Sequence, residues 1–201
     1  LILNSGKISN NTSKFTGGAI YLKSNTKDDK TVFTMNGGEL SHNVGGSVAG
    51  VINVMGSHPV EVNLLGGAFV NNSMSTTGAN LACISATNDG STVVLGGVKF
   101  AGNTNKDGET INALTLSTHN VTLIPTEDTD FQDPIYINNA YGSSKDVAIR
   151  VPEGLTKLKG KLPILLAKEF VGAATISGGT GEGAYALQPS DMEKVHVVNG
   201  I

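Results

Sequence analysis

Short runs of alternating apolar and polar residues fill the first 125 positions of the chain. The runs are rich in valine and isoleucine, and glycine, asparagine, aspartate, serine or threonine stands between them. A period of two between apolar positions, bounded by turn-forming residues, predicts β-strands joined by tight corners. Amphipathic patterns of about 10–15 residues, which would indicate helices, do not occur here.

One run recurs four times with the same internal order: a glycine, then an apolar residue, then an asparagine three positions after the apolar one. The four copies are Gly6–Asn11, Gly38–Asn43, Gly67–Asn72 and Gly97–Asn103. The fourth copy has one extra residue after its glycine. The asparagines that end the copies are almost evenly spaced, so the chain repeats with a period of about 30 residues.

Two further runs complete each repeat. The glycine-led runs and their equivalent in the fourth repeat are Gly18–Leu22, Gly50–Val54, Gly78–Ile84 and Ile111–Leu116. The runs before the next repeat are Val32–Met35, Val60–Leu65, Thr92–Leu95 and Val121–Ile124. Three short strands per repeat predict an all-β fold, a right-handed parallel β-helix (β-solenoid) of about four regular coils. One coil cannot bury its own apolar face, so the coils stack at the strand spacing of about 4.8 Å.

The recurring asparagines have a structural interpretation in such a stack. Asparagine tolerates left-handed backbone angles at a sharp corner. Its side-chain amide can also hydrogen-bond the equivalent amides of the coils above and below. We therefore expect an asparagine ladder, and we expect the repeated glycines to allow positive φ at the corners. The ladder residues are Asn11, Asn43, Asn72 and Asn103.

The pattern changes after Ile124. Residues 126–201 lack the asparagine motif, and residues 187–194 have room for one helical turn. We interpret residues 1–125 as β-helix repeats and residues 126–201 as irregular β coils or a capping β-element that closes the apolar end. The strand-like runs of this second part are 135–137, 147–151, 162–167, 183–187 and 195–198.

The repeats resemble those of a known family. The segment Ile8–Asn11 followed by Gly17–Tyr21 is similar to the paired FxxN and GGA(I/L/V) repeats of chlamydial polymorphic membrane proteins. Phe69–Asn72 and Phe100–Asn103 match the first of these motifs. Other bacterial adhesin-like β-helix proteins use similar repeats. The resemblance covers residues 1 to about 125, and it implies a secreted or cell-surface protein with an adhesive or passenger-domain role.

Four polar residues form a candidate site at the corner before the last strand of each repeat. Asp29, His58, Asp89 and His119 recur with nearly the same interval as the asparagines. If the coils stack in register, the four residues lie in a line and form a corner stripe. Alternating aspartate and histidine suits a divalent metal or a general acid–base pair. The alternative interpretation is ordinary corner chemistry, because aspartate and asparagine are favoured in turns.

An acidic segment follows the repeats. Carboxylates at alternating positions of a loop can hold calcium through hard oxygen ligands, here at Asp128, Asp130 and Asp133, with Glu127 beside them. The segment has no EF-hand pattern and no calcium-binding nonapeptide. A solvated acidic connector is the alternative interpretation.

Composition and charge narrow the class of partner. The net charge is −3, and nothing in its distribution indicates nucleic acid binding. No apolar stretch has the length of about 18 residues that a membrane helix requires, so we expect no membrane insertion. The single cysteine, Cys83, stands in an apolar run and is interpreted as a small buried hydrophobe. The chain starts within a repeat and without a signal segment, which suggests part of a longer chain.

Two function hypotheses remain open. The first is a non-catalytic extracellular surface module of a larger bacterial protein, an adhesin-like binder or a rigid spacer. Its partner would be a host or environmental surface ligand, a glycan or a protein. The alternative is a carbohydrate-active enzyme, a polysaccharide lyase or glycosidase, on a β-helix scaffold. The repeats have few acidic residues, the only arginine is Arg150, and aromatic residues make up 5% of the chain. Sugar-cleaving sites need grouped carboxylates, so we favour the non-catalytic module.

Overall fold

The computed structural model describes residues 1–27, 31–78, 81–86, 88, 90–117, 121–138, 147–152, 155, 158–160, 162–166, 174–178 and 195–198. Within these residues the chain forms strands and no helix. The strands are β1 (Ile2–Leu3), β2 (Lys7–Ser9), β3 (Ile20–Ser24), β4 (Thr31–Met35), β5 (Glu39–Ser41), β6 (Val44–Gly45), β7 (Ile52–Gly56), β8 (Val60–Leu64), β9 (Ala68–Val70), β10 (Ser73–Met74), β11 (Ala82–Ala86), β12 (Thr92–Leu95), β13 (Lys99–Ala101), β14 (Asn112–Ser117), β15 (Thr122–Pro125), β16 (Ile135–Asn138), β17 (Val147–Val151), β18 (Ile164–Leu166), β19 (Ala174–Gly178) and β20 (Val195–Val198).

The strands form three long sheets and one short one. The eight-stranded sheet has the order β1-β4-β8-β12-β15-β17-β19-β20, and the six-stranded sheet has the order β3-β7-β11-β14-β16-β18. The four-stranded sheet is β2-β5-β9-β13, and β6 pairs with β10. Every strand pair is parallel. The chain is a β-solenoid of about five turns, which confirms the predicted fold class.

Inward-facing side chains stack in rows along the solenoid. On the four-stranded sheet, Phe100 stacks on Phe69 with ring centroids 4.8 Å apart. A row of six buried side chains follows the register of the six-stranded sheet: Ile20, Ile52, Ile84, Leu114, Ile135 and Ile164. Each side chain packs on its equivalents in the neighbouring coils, so the core is continuous and each turn depends on the next.

The corner between the eight-stranded and four-stranded sheets has a constant length. Three residues separate β1 from β2, β4 from β5, β8 from β9, and β12 from β13. Lys99 pairs with Ala68, so Val98 occupies the position of Gly67 and the fourth repeat contains no extra residue. The additional residue between Gly97 and Phe100 arises because the glycine pair has shifted by one position within a corner of fixed length. Positive φ occurs, as expected, at Gly6, Gly38 and Gly67.

The corner from the six-stranded to the eight-stranded sheet varies in length. Six residues separate β3 from β4, three separate β7 from β8, five separate β11 from β12, and four separate β14 from β15. The strands on both sides nevertheless keep their parallel register. Corner length and coil register are thus independent at this edge of the solenoid.

Parallel pairing continues beyond residue 125. β17 and β19 extend the eight-stranded sheet, and β16 and β18 extend the six-stranded sheet. The strand-like runs 135–137, 147–151, 162–167 and 195–198 correspond to β16, β17, β18 and β20. The sequence pattern did not indicate β19. The expected strand at 183–187 and the helical turn at 187–194 lie outside the described residues.

The apolar row of the four-stranded sheet also continues into the fifth turn. The ring of Phe131 packs edge-on against Phe100, with centroids 5.1 Å apart and an interplanar angle of 66°. Phe131 follows Phe100 at the same interval along the chain as Phe100 follows Phe69. The fifth turn therefore keeps the aromatic core residue of the repeat although it has no ladder asparagine.

Candidate functional site

The four repeated asparagines form one row of hydrogen bonds. The backbone N–H and the side-chain Nδ2 of Asn11 both donate to Oδ1 of Asn43, at 3.2 and 3.0 Å. Asn43 donates in the same way to Oδ1 of Asn72, at 3.0 Å in both contacts. Asn72 donates to Oδ1 of Asn103 at 3.0 and 2.9 Å. The ladder has a direction, because the donors always belong to the earlier coil and the acceptor to the later one.

A further contact ties each ladder amide to the backbone of the coil before it. Nδ2 of Asn43 donates to the carbonyl oxygen of Ile8 at 3.0 Å. The next two ladder residues donate to the carbonyl oxygens of Leu40 and Phe69, both at 2.9 Å. A side-chain amide has two N–H donors and two acceptor positions on its oxygen. Asn43 and Asn72 use all four and are fully buried, so they hold the stack together and leave no group for a ligand.

The left-handed backbone angles lie one residue before the ladder. We expected them at the ladder asparagines, and that expectation is wrong, because none of those four residues has a positive φ. A ladder side chain must point into the stack to reach its neighbours, so the residue before it makes the sharp turn. The residues at that position are Asn10 (φ 59°), His42 (54°), Asn71 (52°) and Gly102 (64°). Three of these are glycine or asparagine, the residue types that visit left-handed angles routinely.

Only one residue of the corner stripe lies within the described residues. Asp29, Asp89 and His119 lie outside them, so the stripe stays a prediction. His58 is partly buried at the corner between β7 and β8. Its carbonyl oxygen accepts a hydrogen bond from Nδ2 of Asn88 at 2.9 Å. Asn88 is buried, and its Oδ1 has no hydrogen-bond partner among the described residues.

The acidic segment forms the corner between β15 and β16, and its side chains alternate in direction. Thr129 and Phe131 are buried, whereas Asp128 and Asp130 are exposed and Asp133 is partly buried. In the part of the chain that the structure describes, no three His, Cys, Asp or Glu side chains are grouped so as to hold a metal ion. The three aspartates of the expected calcium site therefore do not form one ligand group, since Asp128 and Asp130 are exposed and Asp133 is partly buried.

Asp133 has an unusual environment for a carboxylate. Its Oδ2 atom is buried and has no hydrogen-bond partner in the part of the chain that the structure describes, and burial raises the pKa of its carboxyl group. Burial also raises the pKa of the Cys83 thiol, and the negative charge of Asp133 adds to this effect. A buried, protonated thiol is not a nucleophile. The interpretation of Cys83 as a small buried hydrophobe is confirmed.

A cleft of about 370 Å³ opens beside the loop between β13 and β14. Nδ2 of Asn105 donates to Oε2 of Glu109 at 2.8 Å. Oδ1 of Asn105 accepts hydrogen bonds from the backbone N–H groups of Asp107 and Glu109, at 2.9 and 3.0 Å. These contacts shape the loop itself, and no motif in the sequence indicated the cleft. The lining residues are Gly78, Leu81, Asn105, Glu109, Thr110, Ile111 and Asn112.

Two ion pairs lie on the surface of the described chain. Nζ of Lys7 lies 2.9 Å from Oε1 of Glu39 on the neighbouring strand. The hydrogen bond from Lys7 lowers the pKa of Glu39. Lys106 and Asp107 form the other pair at 2.7 Å. Exposed pairs of this kind contribute little to stability, and they neutralise part of the surface charge locally.

Over the strands β4, β8, β12 and β15, the outer face of the eight-stranded sheet carries mostly uncharged side chains. Its outward positions on β4, β8, β12 and β15 alternate with fully or largely buried ones. The register aligns them in two rows along the solenoid. Glu61 is the charged residue among them, and it accepts a hydrogen bond from Asn63 at 2.8 Å. We name this surface the neutral face: Val32, Thr34, Glu61, Asn63, Thr92, Val94, Thr122 and Ile124.

Comparison of the chain with family models, curated proteins and solved structures gives no match to any of them. The described residues also contain no helix of the length and apolar character that a membrane crossing requires. The family resemblance and the surface location that it implies therefore stay predictions.

Proposed function

We propose that the chain is a non-catalytic extracellular surface module of a larger bacterial protein, in which the solenoid carries an adhesin-like binding face or acts as a rigid spacer. The continuity of the stack is the observation that carries this proposal. The asparagine ladder passes through four coils without a break, and the aromatic row continues into the fifth turn. Coils that hydrogen-bond to and pack on their neighbours in this way make a stiff support.

The polar groups that the coils align also support a structural role. The ladder amides bond to each other and to the backbone, and Glu39, Asp107 and Glu109 each have a partner within the chain. The resemblance of the repeats to those of adhesin-like β-helix proteins supports a place at the bacterial surface. The neutral face, with its threonine hydroxyls and valine side chains, suits an uncharged partner such as a neutral glycan or an uncharged protein surface.

The first test measures turnover. The purified chain is incubated with acidic and neutral polysaccharides, and reducing ends and unsaturated products are recorded beside a D29A/H58A/D89A/H119A variant. We expect no product from either protein. Product from the wild type that disappears in the variant would contradict the proposal and favour a lyase or glycosidase that uses the corner stripe.

The second test measures binding at the neutral face. The wild type is probed with neutral glycans and extracellular proteins beside T92K/T122K, which adds charge to that face. Ala68→Lys, on the outer side of the four-stranded sheet, is the matched control. Binding lost in T92K/T122K and kept in the control supports the adhesin-like form. Equal binding by all three proteins would exclude the neutral face as the binding surface, and no binding by the wild type would favour the spacer.

A further inference from the structure

The cleft beside the loop between β13 and β14 combines an apolar base with one carboxylate. Leu81 and Ile111 line the cleft and are only 5% and 3% exposed, so they lie at its base. Glu109 and Thr110 also line it, and both are exposed. Its volume of about 370 Å³ falls in the range of small-ligand sites, about 300–1,000 Å³.

A hydrogen-bonded loop holds the carboxylate at this cleft. The backbone N–H of Asn105 donates to the carbonyl oxygen of Glu109 at 2.8 Å, and the N–H of Gly108 donates to that of Asn105 at 3.1 Å. Gly108 closes the turn with a φ of 81°. Nδ2 of Asn105 donates to Oε2 of Glu109 at 2.8 Å, and Asn105 is buried. The position of the carboxylate is therefore fixed before a ligand arrives, which lowers the entropic cost of binding.

The charge of Glu109 is not neutralised within the part of the chain that the structure describes. Its partner Asn105 is a neutral amide, and the neighbouring Lys106 pairs with Asp107 at 2.7 Å. Among the same residues, Oε1 of Glu109 accepts no hydrogen bond. A fixed negative charge with an open acceptor beside an apolar base suits a cation that carries a hydrocarbon chain.

We propose that the cleft binds the ammonium group of an aliphatic amine. The hydrocarbon chain of the amine packs on Leu81 and Ile111, and its ammonium group donates to Oε1 of Glu109. The hydroxyl group of Thr110 lines the same cleft and offers a second acceptor. Two sources carry this chemistry, a lysine side chain of a partner protein and a free alkylamine.

The occupied Oε2 atom favours an ammonium group over a guanidinium group. A guanidinium binds a carboxylate best when two parallel N–H groups meet both of its oxygens, and Asn105 already takes one oxygen of Glu109. A divalent metal is disfavoured as well. Glu109 is the one carboxylate among the described lining residues, whereas calcium takes six to eight oxygen ligands, about two of which one carboxylate can supply.

This site is separate from the neutral face. The cleft opens at the corner between the four-stranded and six-stranded sheets, whereas the neutral face lies on the eight-stranded sheet. The neutral face suits an uncharged partner, and the cleft selects its ligand by charge. The inference therefore goes beyond the proposed function and does not depend on it. T92K/T122K should bind the amine as tightly as the wild type does.

The experiment titrates the full-length chain with butylammonium, methylammonium, butanol and Nα-acetyl-lysine amide. Binding is followed by NMR through the backbone amide signals of residues 105–111. Glu109→Gln removes the charge but keeps an oxygen that can accept the hydrogen bond from Asn105. Asp107→Asn is the matched control, because it removes the same charge from the same loop and Asp107 does not line the cleft.

Butylammonium should bind more tightly than butanol, and more tightly than methylammonium by about three- to fourfold for each added methylene group. Glu109→Gln should weaken butylammonium binding at least about tenfold, and Asp107→Asn by less than about twofold. Rising salt should weaken binding to the wild type. Tighter binding of Nα-acetyl-lysine amide than of butylammonium would identify a lysine side chain as the source of the amine, and the reverse order would identify a free alkylamine.

Three results would overturn the proposal. The first is a wild type whose signals from residues 105–111 do not move with butylammonium. The second is equal binding of butanol and butylammonium, which would leave an apolar cavity without selection for charge. The third is an equal loss of binding in Glu109→Gln and Asp107→Asn, which would assign binding to the general charge of the loop. If Glu109→Gln moves the loop signals before any amine is added, the butanol comparison and the salt dependence decide.

Discussion

Two regions of the solenoid, β1 to β14 and β15 onward, both contribute strands to the eight-stranded and six-stranded sheets. They differ in the four-stranded sheet. In the first region every turn has a strand in the four-stranded sheet and a ladder asparagine. In the second region the eight-stranded and six-stranded sheets continue, while the described residues add nothing to the four-stranded sheet. Parallel pairing of two sheets therefore does not require the ladder, which instead fixes the corner that follows the third sheet.

The two regions also differ in how completely the buried polar groups at that corner are hydrogen-bonded. In the first region each ladder amide satisfies its neighbours. In the fifth turn, Thr129 Oγ1 donates to the carbonyl oxygen of Leu95 at 2.8 Å, whereas a buried oxygen of Asp133 has no partner among the described residues. An unpaired buried polar atom destabilises the native state, so we expect the loss of a ladder amide and the loss of the Asp133 charge to have opposite effects on stability.

The largest effect is expected from Asn72→Ala. The substitution removes four side-chain hydrogen bonds and leaves buried donors of Asn43 and the carbonyl oxygen of Leu40 without partners. We expect the free energy of unfolding, measured in urea, to fall by about 4 kcal/mol. Asn63→Ala on the neutral face is the matched control, with an expected loss below about 1 kcal/mol. Similar losses for both variants would show that the ladder has no special role.

The second prediction asks how far the regular core extends. Phe131→Ala should lower the free energy of unfolding by about 3 kcal/mol, because it removes a buried ring that packs on Phe100 and leaves a cavity. Gln132→Ala, at an exposed neighbouring position, is the control. A loss of the same small size in both variants would place the end of the core before the fifth turn.

The third prediction concerns the left-handed residue before the ladder. Asn71→Val should cost about 1–2 kcal/mol of unfolding free energy, because a β-branched residue is strained at a φ of 52°. Asn71→Gly keeps the angle accessible and should change stability by less than about 0.5 kcal/mol. Equal destabilisation by both would mean that the Asn71 side chain, and not its backbone angle, matters.

The smallest effect is expected at Asp133 and depends on pH. Its carboxyl pKa is raised by burial, so the folded state is favoured by protonation. The stabilisation is complete below the unfolded-state pKa and is lost as the pH rises through the folded-state pKa. Asp133→Asn should therefore be more stable than the wild type at pH 7, by less than about 1 kcal/mol because solvent screens the partly exposed group.

The check on Asp133 is a series of urea unfolding curves from pH 7 down to about pH 4. The advantage of the variant should shrink as the wild-type carboxyl group takes up its proton. Asp128→Asn, at an exposed position of the same acidic segment, is the matched control. An advantage of Asp133→Asn that stayed constant over the whole range would assign the effect to packing and not to charge.

The repeated part of the fold could be predicted because the same sequence pattern recurs in each coil. Four spaced asparagines and three kinds of strand-like run were enough to indicate a solenoid of stacked coils. The spacing could not show that Val98 takes the place of Gly67, because that alignment depends on strand pairing. Phe131 did carry a signal, since it repeats the interval between Phe69 and Phe100, but the missing asparagine concealed it.

The candidate site was less accessible to prediction for a physical reason. The corner stripe lies where the number of residues between strands changes from turn to turn, so equal spacing along the chain does not fix equal positions in space. The calcium interpretation is wrong because the sequence shows aspartates close together along the chain but does not show whether their carboxylates are grouped in space. The outward row around Thr92 and Thr122 became visible only from the register of the eight-stranded sheet.

The variable corner between the six-stranded and eight-stranded sheets has an evolutionary consequence. Its length ranges from three to six residues while the strands around it keep their partners. The closure entropy of a loop grows slowly with its length, so this edge can gain or lose residues one coil at a time. Selection can therefore diversify the corner of each turn separately. For the same reason an engineer can graft foreign loops at this edge while the sheets and the other corners of the coil stay unchanged.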